Sequence, residues 1–283
     1  MQPSTIERRL IHGGSFSMGS EAFYADEGPV VTVEVEPFEI DVHPVTNDQF
    51  AEFVAQTGFV TTAERELPAE LGGGAPGSLV FHETAGPVSL RDWRQWWRWV
   101  QGANWRHPFG PGSDIHVYGS HPVVQVSCDD ASAYAAWVGG RLPTESEWEF
   151  AAQGGEATTY AWGEDVRPDG RLMANTWQGA FPYRNEGAEG WRGTSPVGSF
   201  DANGYGLFDM IGNVWEWTSS PYLPHNSADS CCGGESGDSQ TRRVLKGGSH
   251  LCSPEYCLRY RPAARSPQSD DTSMTHIGFR VAY

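Results

Sequence analysis

From Gly154 to Tyr283 no stretch of the chain carries the three-to-four-residue apolar spacing of a helix. Turn residues interrupt it too often. The sequence holds 34 Gly and 19 Pro, above ordinary usage and spread over its whole length. That distribution reads as many turns, not as one disordered tract. Such a chain cannot build its core from long elements. It must pack short segments around large side chains, and the 12 Trp and 13 Phe supply them. With 39% hydrophobic residues over 283 positions, a sizeable core is within reach.

The first half is more regular. Val31, Val33 and Val35 alternate with Thr32, Glu34 and Glu36, and Phe38, Ile40 and Val42 continue the period of two, so strands are expected across 10–45. A helix is expected from Thr46, which forms a capping box with Gln49, to Gly58. Trp93, Trp96, Trp97 and Val100 fall at helical spacing and read as core. A second helix follows Ser127 and ends at Gly139-Gly140. A third follows Thr144, boxed with Glu147, and ends at Gly154-Gly155. No linker, composition break or internal repeat divides the chain, so residues 1–283 are read as one domain.

Formal charge is −17. A field of that sign argues against nucleic acid and anionic membranes as partners. No apolar h-region follows Arg8 and Arg9, and no run is long enough to span a bilayer. Five cysteines in a chain this long do not make a disulfide framework, and a reducing cytoplasm is the simplest compartment.

Two of those cysteines lie in Lys246-Gly247-Gly248-Ser249-His250-Leu251-Cys252-Ser253-Pro254-Glu255-Tyr256-Cys257. Thiols five positions apart share a face of neither a strand nor a helix. Pro254 between them favours a bend, which can bring both sulfurs to one point. Spacing leaves three uses open: two buried thiols, a disulfide, or a two-thiolate site for a soft ion such as Cu(I). Arg259 and Arg261 would favour thiolates. Cys231 and Cys232 sit in a small polar segment and read as incidental.

Two polar stretches hold oxygen donors near glycines. One runs from Asp209 to Thr218, with Asp209, Asn213 and Glu216 around Gly212; the other joins Asn175–Gly179 to Glu186–Trp191. Either is a hydrogen-bonded turn or a Ca²⁺ loop, without the regular spacing of an EF-hand. The nine histidines form no H-x-x-x-H pair, and neither G-x-S-x-G nor a phosphate-binding glycine loop is present.

Several motifs together resemble the formylglycine-generating enzymes, or sulfatase-modifying factors. They are Gly13-Gly14-Ser15-Phe16-Ser17-Met18-Gly19, Pro44-Val45-Thr46-Asn47, Gly140-Arg141-Leu142-Pro143-Thr144-Glu145 with Ser146–Phe150, Asn203–Asp209, Gly212–Thr218 and Gly278-Phe279-Arg280. These mark a superfamily that also includes non-catalytic relatives and iron sulfoxide synthases. The narrower signal is Gly-Gly-Ser-x-x-Cys-x₄-Cys followed by Arg-x-Arg, which is similar to the catalytic members.

The resemblance implies one α+β domain of C-type-lectin-like fold with little regular structure. It implies O₂-dependent oxidation of the cysteine in a Cys-x-Pro-x-Arg motif to Cα-formylglycine, in a sulfatase polypeptide expected to be unfolded. By the same resemblance Cys252 and Cys257 hold Cu(I), Ser249 and Tyr256 are site residues, and Trp215 and Ser273 line the substrate groove. Structural Ca²⁺ is implied at Asn175, Thr176, Glu189 and Trp191, and again at Asp209, Gly212, Val214 and Glu216. Thr176, Trp191, Gly212 and Val214 would bind through backbone oxygens. Members in oxidising compartments carry further cysteines at positions matching Ala135, Ala152, Pro262 and Val281; their absence here agrees with a cytoplasmic, bacterial-type enzyme. A non-catalytic binding paralogue would have no need of both thiols. A sulfoxide synthase would need a histidine triad, usually on an extra N-terminal helical domain, and the chain has neither.

Overall fold

The computed structural model describes residues 6–67, 73–223 and 242–283. Cys231 and Cys232 lie outside them. The alternating valines form a strand as expected. β2 (Gly14–Met18) pairs antiparallel with β3 (Val31–Val35), placing Phe16 opposite Val33. β1 (Arg8–Ile11) pairs antiparallel with β4 (Phe38–Asp41).

All three α-helices start where expected, and each begins at a capping box. α1 spans Asn47–Thr57 behind Thr46, α2 spans Cys128–Trp137 behind Ser127, and α3 spans Glu145–Gln153 behind Thr144. Each box satisfies two N-terminal N–H groups that the helix itself leaves open. Gly58 and Gly154 end α1 and α3 in the left-handed conformation, which glycine adopts at low cost.

The tryptophan stripe is a correction. Trp93–Gln95 is only a short 3-10 turn, and β6 (Trp97–Gln101) pairs antiparallel with β5 (Gly77–Phe81). Trp96 and Trp97 are buried, but Trp93 and Trp99 are exposed. The Trp99 indole packs over Gly77, where a Cβ would lie 3.0 Å from the ring. Helical spacing of aromatics was outweighed by a distant pairing partner, which local pattern does not reveal.

A four-stranded sheet carries the second half. Its order is β10 (Ile277–Gly278), β7 (Trp215–Pro221), β8 (Arg242–Lys246), β9 (Arg265–Ser269), with β10–β7 parallel and the rest antiparallel. No α-helix occurs after Gln153 among the described residues, as expected. The architecture is α+β with few helices. The core is aromatic: Phe50 meets Trp105 at 5.1 Å and Tyr134 at 5.9 Å, and Trp148 anchors a second cluster with Ile11, Phe16 and Met210. Burying each such side chain contributes roughly 1.5–3 kcal/mol. The buried cations are paired: Arg280 with Glu216, Lys246 with Glu149, Arg261 with Glu27 and Arg265 with Glu145. Among the described residues no helix is long and apolar enough to cross a membrane.

The sheet fixes the site because three of its strand ends meet. Trp215 opens β7, Lys246 closes β8, and His276 immediately precedes β10. The Trp215 N–H donates to the His276 carbonyl at 2.9 Å.

Candidate active site

After Lys246 the chain leaves β8 through Gly247 (φ 91°) and Gly248 (φ 72°). A Cβ on Gly247 would sit 2.7 Å from the Met210 carbonyl oxygen, and one on Gly248 2.9 Å from that of Arg259. Only glycine passes this gap without strain. The chain then turns twice. Cys252 N–H donates to Ser249 O at 2.9 Å, and Cys257 N–H to Ser253 O at 2.7 Å. This is the bend expected at Pro254.

It brings the thiols together. Cys252 Sγ and Cys257 Sγ are 2.9 Å apart, both free; Cys252 is buried and Cys257 partly exposed. The Ser249 N–H donates to Cys252 Sγ at 3.4 Å. The sulfurs face a cavity of about 270 Å³ walled by Trp96, Trp97, Phe181, Trp215 and Tyr256, with Tyr24 and His276 at its sides. Tyr256 stacks on Phe181 at 4.7 Å.

The two thiols are electrostatically unequal. Burial pushes Cys252 well up, and its neighbour Cys257 adds to the shift. Cys257 is held down by the hydrogen bond from Cys252, helped by the Arg259 N–H and the charges of Arg259 and Arg261. The pair thus favours the proton on Cys252 and the charge on Cys257, a thiolate being the nucleophilic and metal-binding form. Both arginines are locked from the N-terminal side. Asp26 takes both Arg259 Nη atoms at 2.9 and 3.0 Å, and buried Glu27 takes Arg261 at 2.8 and 2.6 Å. The Leu258 N–H donates to Tyr24 Oη at 3.0 Å.

Ser249, Tyr256 and Trp215 all join this cavity. Ser273 does not. It lines a separate cavity of about 290 Å³ beside Trp99, with its Oγ 2.7 Å from Ser78 Oγ, so the expected groove pair is divided between two cavities. Tyr24, Trp96, Trp97, Phe181 and His276 were not singled out as site residues from sequence. Nothing local marks them, because they reach the cavity from distant segments.

The oxygen-rich loops differ from each other. Asn175 is buried, donates through Nδ2 to Gly193 O at 3.0 Å and Ser195 Oγ at 3.1 Å, and keeps a buried Oδ1 with no hydrogen-bond partner. Thr176 O accepts from Gln178 Nε2, and Trp191 O from Ala188 N–H. Glu189 is exposed at φ 49°. At the second loop, Glu216 accepts from Arg280 Nε and Nη2, each at 2.7 Å, and from Trp148 Nε1 at 2.8 Å. Asp209 accepts from Gly198 N–H at 2.7 Å and Asn213 Nδ2 at 3.3 Å, and burial pushes its carboxyl up to about 6. Gly212 lies against the Asn175 carbonyl, and Val214 is buried. No group of three or more His, Cys, Asp or Glu gathers at one point among the described residues. The orphan Asn175 Oδ1 fits a hard cation. At the second loop the Glu216 carboxylate is already engaged by Arg280 and Trp148.

The model of the sulfatase-modifying factor enzyme 1-like domain matches residues 2–283. The formylglycine-generating enzyme of Mycobacterium tuberculosis is 61% identical over 282 residues, covering 95% of this chain and 94% of that one. That of Thermomonospora curvata is 46% identical over 286 residues, covering 96% and 91%. The solved structure of PvdO from Pseudomonas aeruginosa superposes with a TM-score of 0.65 at 24% identity, over 100% of this chain and 98% of that one, a likeness of fold alone.

Proposed function

We propose that this chain, which belongs to the sulfatase-modifying factor enzyme 1-like family, oxidises the cysteine of a Cys-x-Pro-x-Arg segment in an unfolded sulfatase polypeptide to Cα-formylglycine, using O₂ and copper. The observation that carries the reading is the Cys252/Cys257 pair: two free sulfurs 2.9 Å apart, one with its pKa held down, facing an aromatic cavity. The donor set fits Cu(I). Thiolates suit a soft, low-coordinate ion, and no His, Asp or Glu completes a harder site among the described residues. When bound, copper would supply a thiophilic centre for the substrate cysteine and the means to activate O₂.

The chain's own residues do the rest. Arg259 and Arg261 favour the Cys257 thiolate. The Ser249 N–H holds Cys252 in place. Trp96, Trp97, Phe181 and Trp215 keep bulk water away and leave room for an extended segment. Tyr256 stays a neutral phenol, because burial and the neighbouring thiols push it up to about 12. Calcium at Asn175, with Thr176, Glu189 and Trp191, is part of the same reading, supported by the orphan Oδ1.

The test is to supply a Cys-x-Pro-x-Arg peptide, O₂ and Cu(I), and to look for aldehyde by mass spectrometry. Product from the wild type and none from Cys252→Ser or Cys257→Ser is expected. No product, or equal product from the variants, overturns the reading; peptide binding without product would favour a binding paralogue. Cu(I) titration should show one tight site that either variant removes.

A further inference from the structure

The two sulfurs of the thiol pair are held by different parts of the chain. Cys252 is fixed by its near surroundings. Its N–H donates to Ser249 O at 2.9 Å, its carbonyl accepts the Trp177 N–H at 2.9 Å, and its sulfur accepts the Ser249 N–H at 3.4 Å. Cys257 depends on a distant group. Its N–H donates to Ser253 O at 2.7 Å, which orients the peptide before it. The peptide after it carries the Leu258 N–H, which donates at 3.0 Å to the Oη of Tyr24, 234 positions earlier. A peptide unit is planar, so this one bond limits the plane and with it ψ of Cys257.

Tyr24 can serve the loop because its own turn does not use its hydroxyl. It precedes the 3-10 turn Ala25–Glu27 in extended conformation (φ −107°, ψ 140°), with no side-chain cap bond. Main-chain bonds close the turn instead: the Glu27 N–H donates to Tyr24 O at 3.0 Å, and the Ser20 N–H to Glu27 O at 3.0 Å. The same turn presents Asp26 to Arg259 and Glu27 to Arg261. The Tyr24 ring lies in the cavity wall, with the Arg259 guanidinium 4.0 Å from its centroid. The carboxylates therefore hold the arginine side chains, while the phenol oxygen holds the backbone next to Cys257. Without an acceptor there, the half-buried Leu258 N–H would have to find another by moving.

We propose that Tyr24 is a positioning residue, whose phenol oxygen, through the Leu258 N–H, sets where the Cys257 sulfur stands relative to Cys252. The pair is then a two-sulfur clamp before anything binds, with its sulfurs already 2.9 Å apart. Preorganisation of this kind strengthens binding, because the ligand atoms need not be ordered at that moment. The device joins the N-terminal part of the chain to a loop near its end, so the clamp is complete only in the folded protein. This inference rests on the metal-clamp reading of the pair above.

Tyr24→Phe tests it, because the variant keeps the ring beneath Arg259 and removes only the oxygen. Two probes read the sulfur pair in the full-length reduced protein, without peptide or O₂. One is Cu(I), measured by competition with a chromophoric chelator. The other is phenylarsine oxide, which bridges two thiols only at a suitable spacing and needs no copper. Tyr24→Phe should weaken both about tenfold, the worth of one hydrogen bond. Phe23→Leu, which alters the ring beneath Arg261 but not the Leu258 contact, should leave both within about twofold. Wild-type affinities in Tyr24→Phe overturn the proposal, even with a lowered urea midpoint, since a merely structural hydroxyl would cost stability and spare the clamp. An equal loss in Phe23→Leu also overturns it, because the turn as a whole would then set the sulfurs. Wild-type protein that takes neither probe overturns it too. Wild-type protein that takes the arsenical but no Cu(I) refutes the copper reading alone, and the arsenical comparison then decides Tyr24.

Discussion

The loop from Ser249 to Arg261 and the loop from Asp209 to Glu216 are both rich in metal-binding residue types, yet the fold treats them oppositely. In the second, charge is cancelled inside the protein. Arg280 holds Glu216 in a buried bidentate pair, Trp148 adds a third donor, and Asn213 donates to Asp209. In the first, charge is favoured on a sulfur that faces a cavity. Arg259 and Arg261 support a Cys257 thiolate, while their own charges are balanced from behind by Asp26 and Glu27. A buried ion pair whose partners satisfy each other belongs to architecture. A thiolate whose counter-charges are already engaged is available for chemistry.

The comparison breaks first at Cys257. Cys257→Ser should abolish aldehyde formation, yet cost no more than about 1 kcal/mol in urea unfolding, because it changes little volume and leaves the Arg259–Asp26 and Arg261–Glu27 pairs intact. A large loss of stability would place the thiols among the structural groups.

Arg280→Met should do the reverse. It strands a buried carboxylate and should cost about 3–5 kcal/mol in urea unfolding. Adding Glu216→Gln should recover part of that loss, since the uncompensated charge is then gone. If the single variant costs under about 1 kcal/mol, the second loop is not held by this pair.

Asp41 shows a buried carboxyl without an ion pair among the described residues. Val281 N–H and Tyr283 Oη donate to it, but burial dominates and raises it from 3.8 to about 7. Because the folded state holds this proton more tightly, its contribution to stability is complete below about pH 4 and is lost as pH rises through 7. The slope is at most about 1.4 kcal/mol per pH unit. Urea midpoints measured from about pH 5 to pH 7 should fall with pH in the wild type, and less steeply in Asp41→Asn. Equal slopes would refute the assignment.

How much of this was legible in the sequence depended on distance along the chain. The helix starts were, because a capping box is complete within four residues. So was the bend at Pro254 that joins the thiols. The β6 strand was not, because its partner lies some twenty residues earlier and the aromatic spacing imitated a helix. Nor was the fate of Glu216, because Arg280 is 64 positions away. His276 escaped for the same reason, being 27 positions from the Ser249 that it meets. Local pattern reports groups that could bind something; only tertiary contact reports which of them are already bound.

α3 allows the mildest test, because it touches both regions. Its Trp148 donates to Glu216, and its Glu149 pairs with Lys246 immediately before the Gly247 turn into the thiol loop. The helix begins at a capping box in which Thr144 Oγ1 accepts the Glu147 N–H at 3.2 Å and Glu147 Oε2 accepts the Thr144 N–H at 2.8 Å. Thr144→Ala removes the first bond and should cost about 1 kcal/mol of stability. If the thiol loop is held independently, by Asp26 and Glu27 on one side and the two glycines on the other, kcat/KM for the peptide should stay within about twofold, well short of the tenfold that 1.4 kcal/mol at the site would produce. A parallel loss of activity would mean that α3 transmits its strain through Lys246, and that the two loops are one mechanical unit and not two.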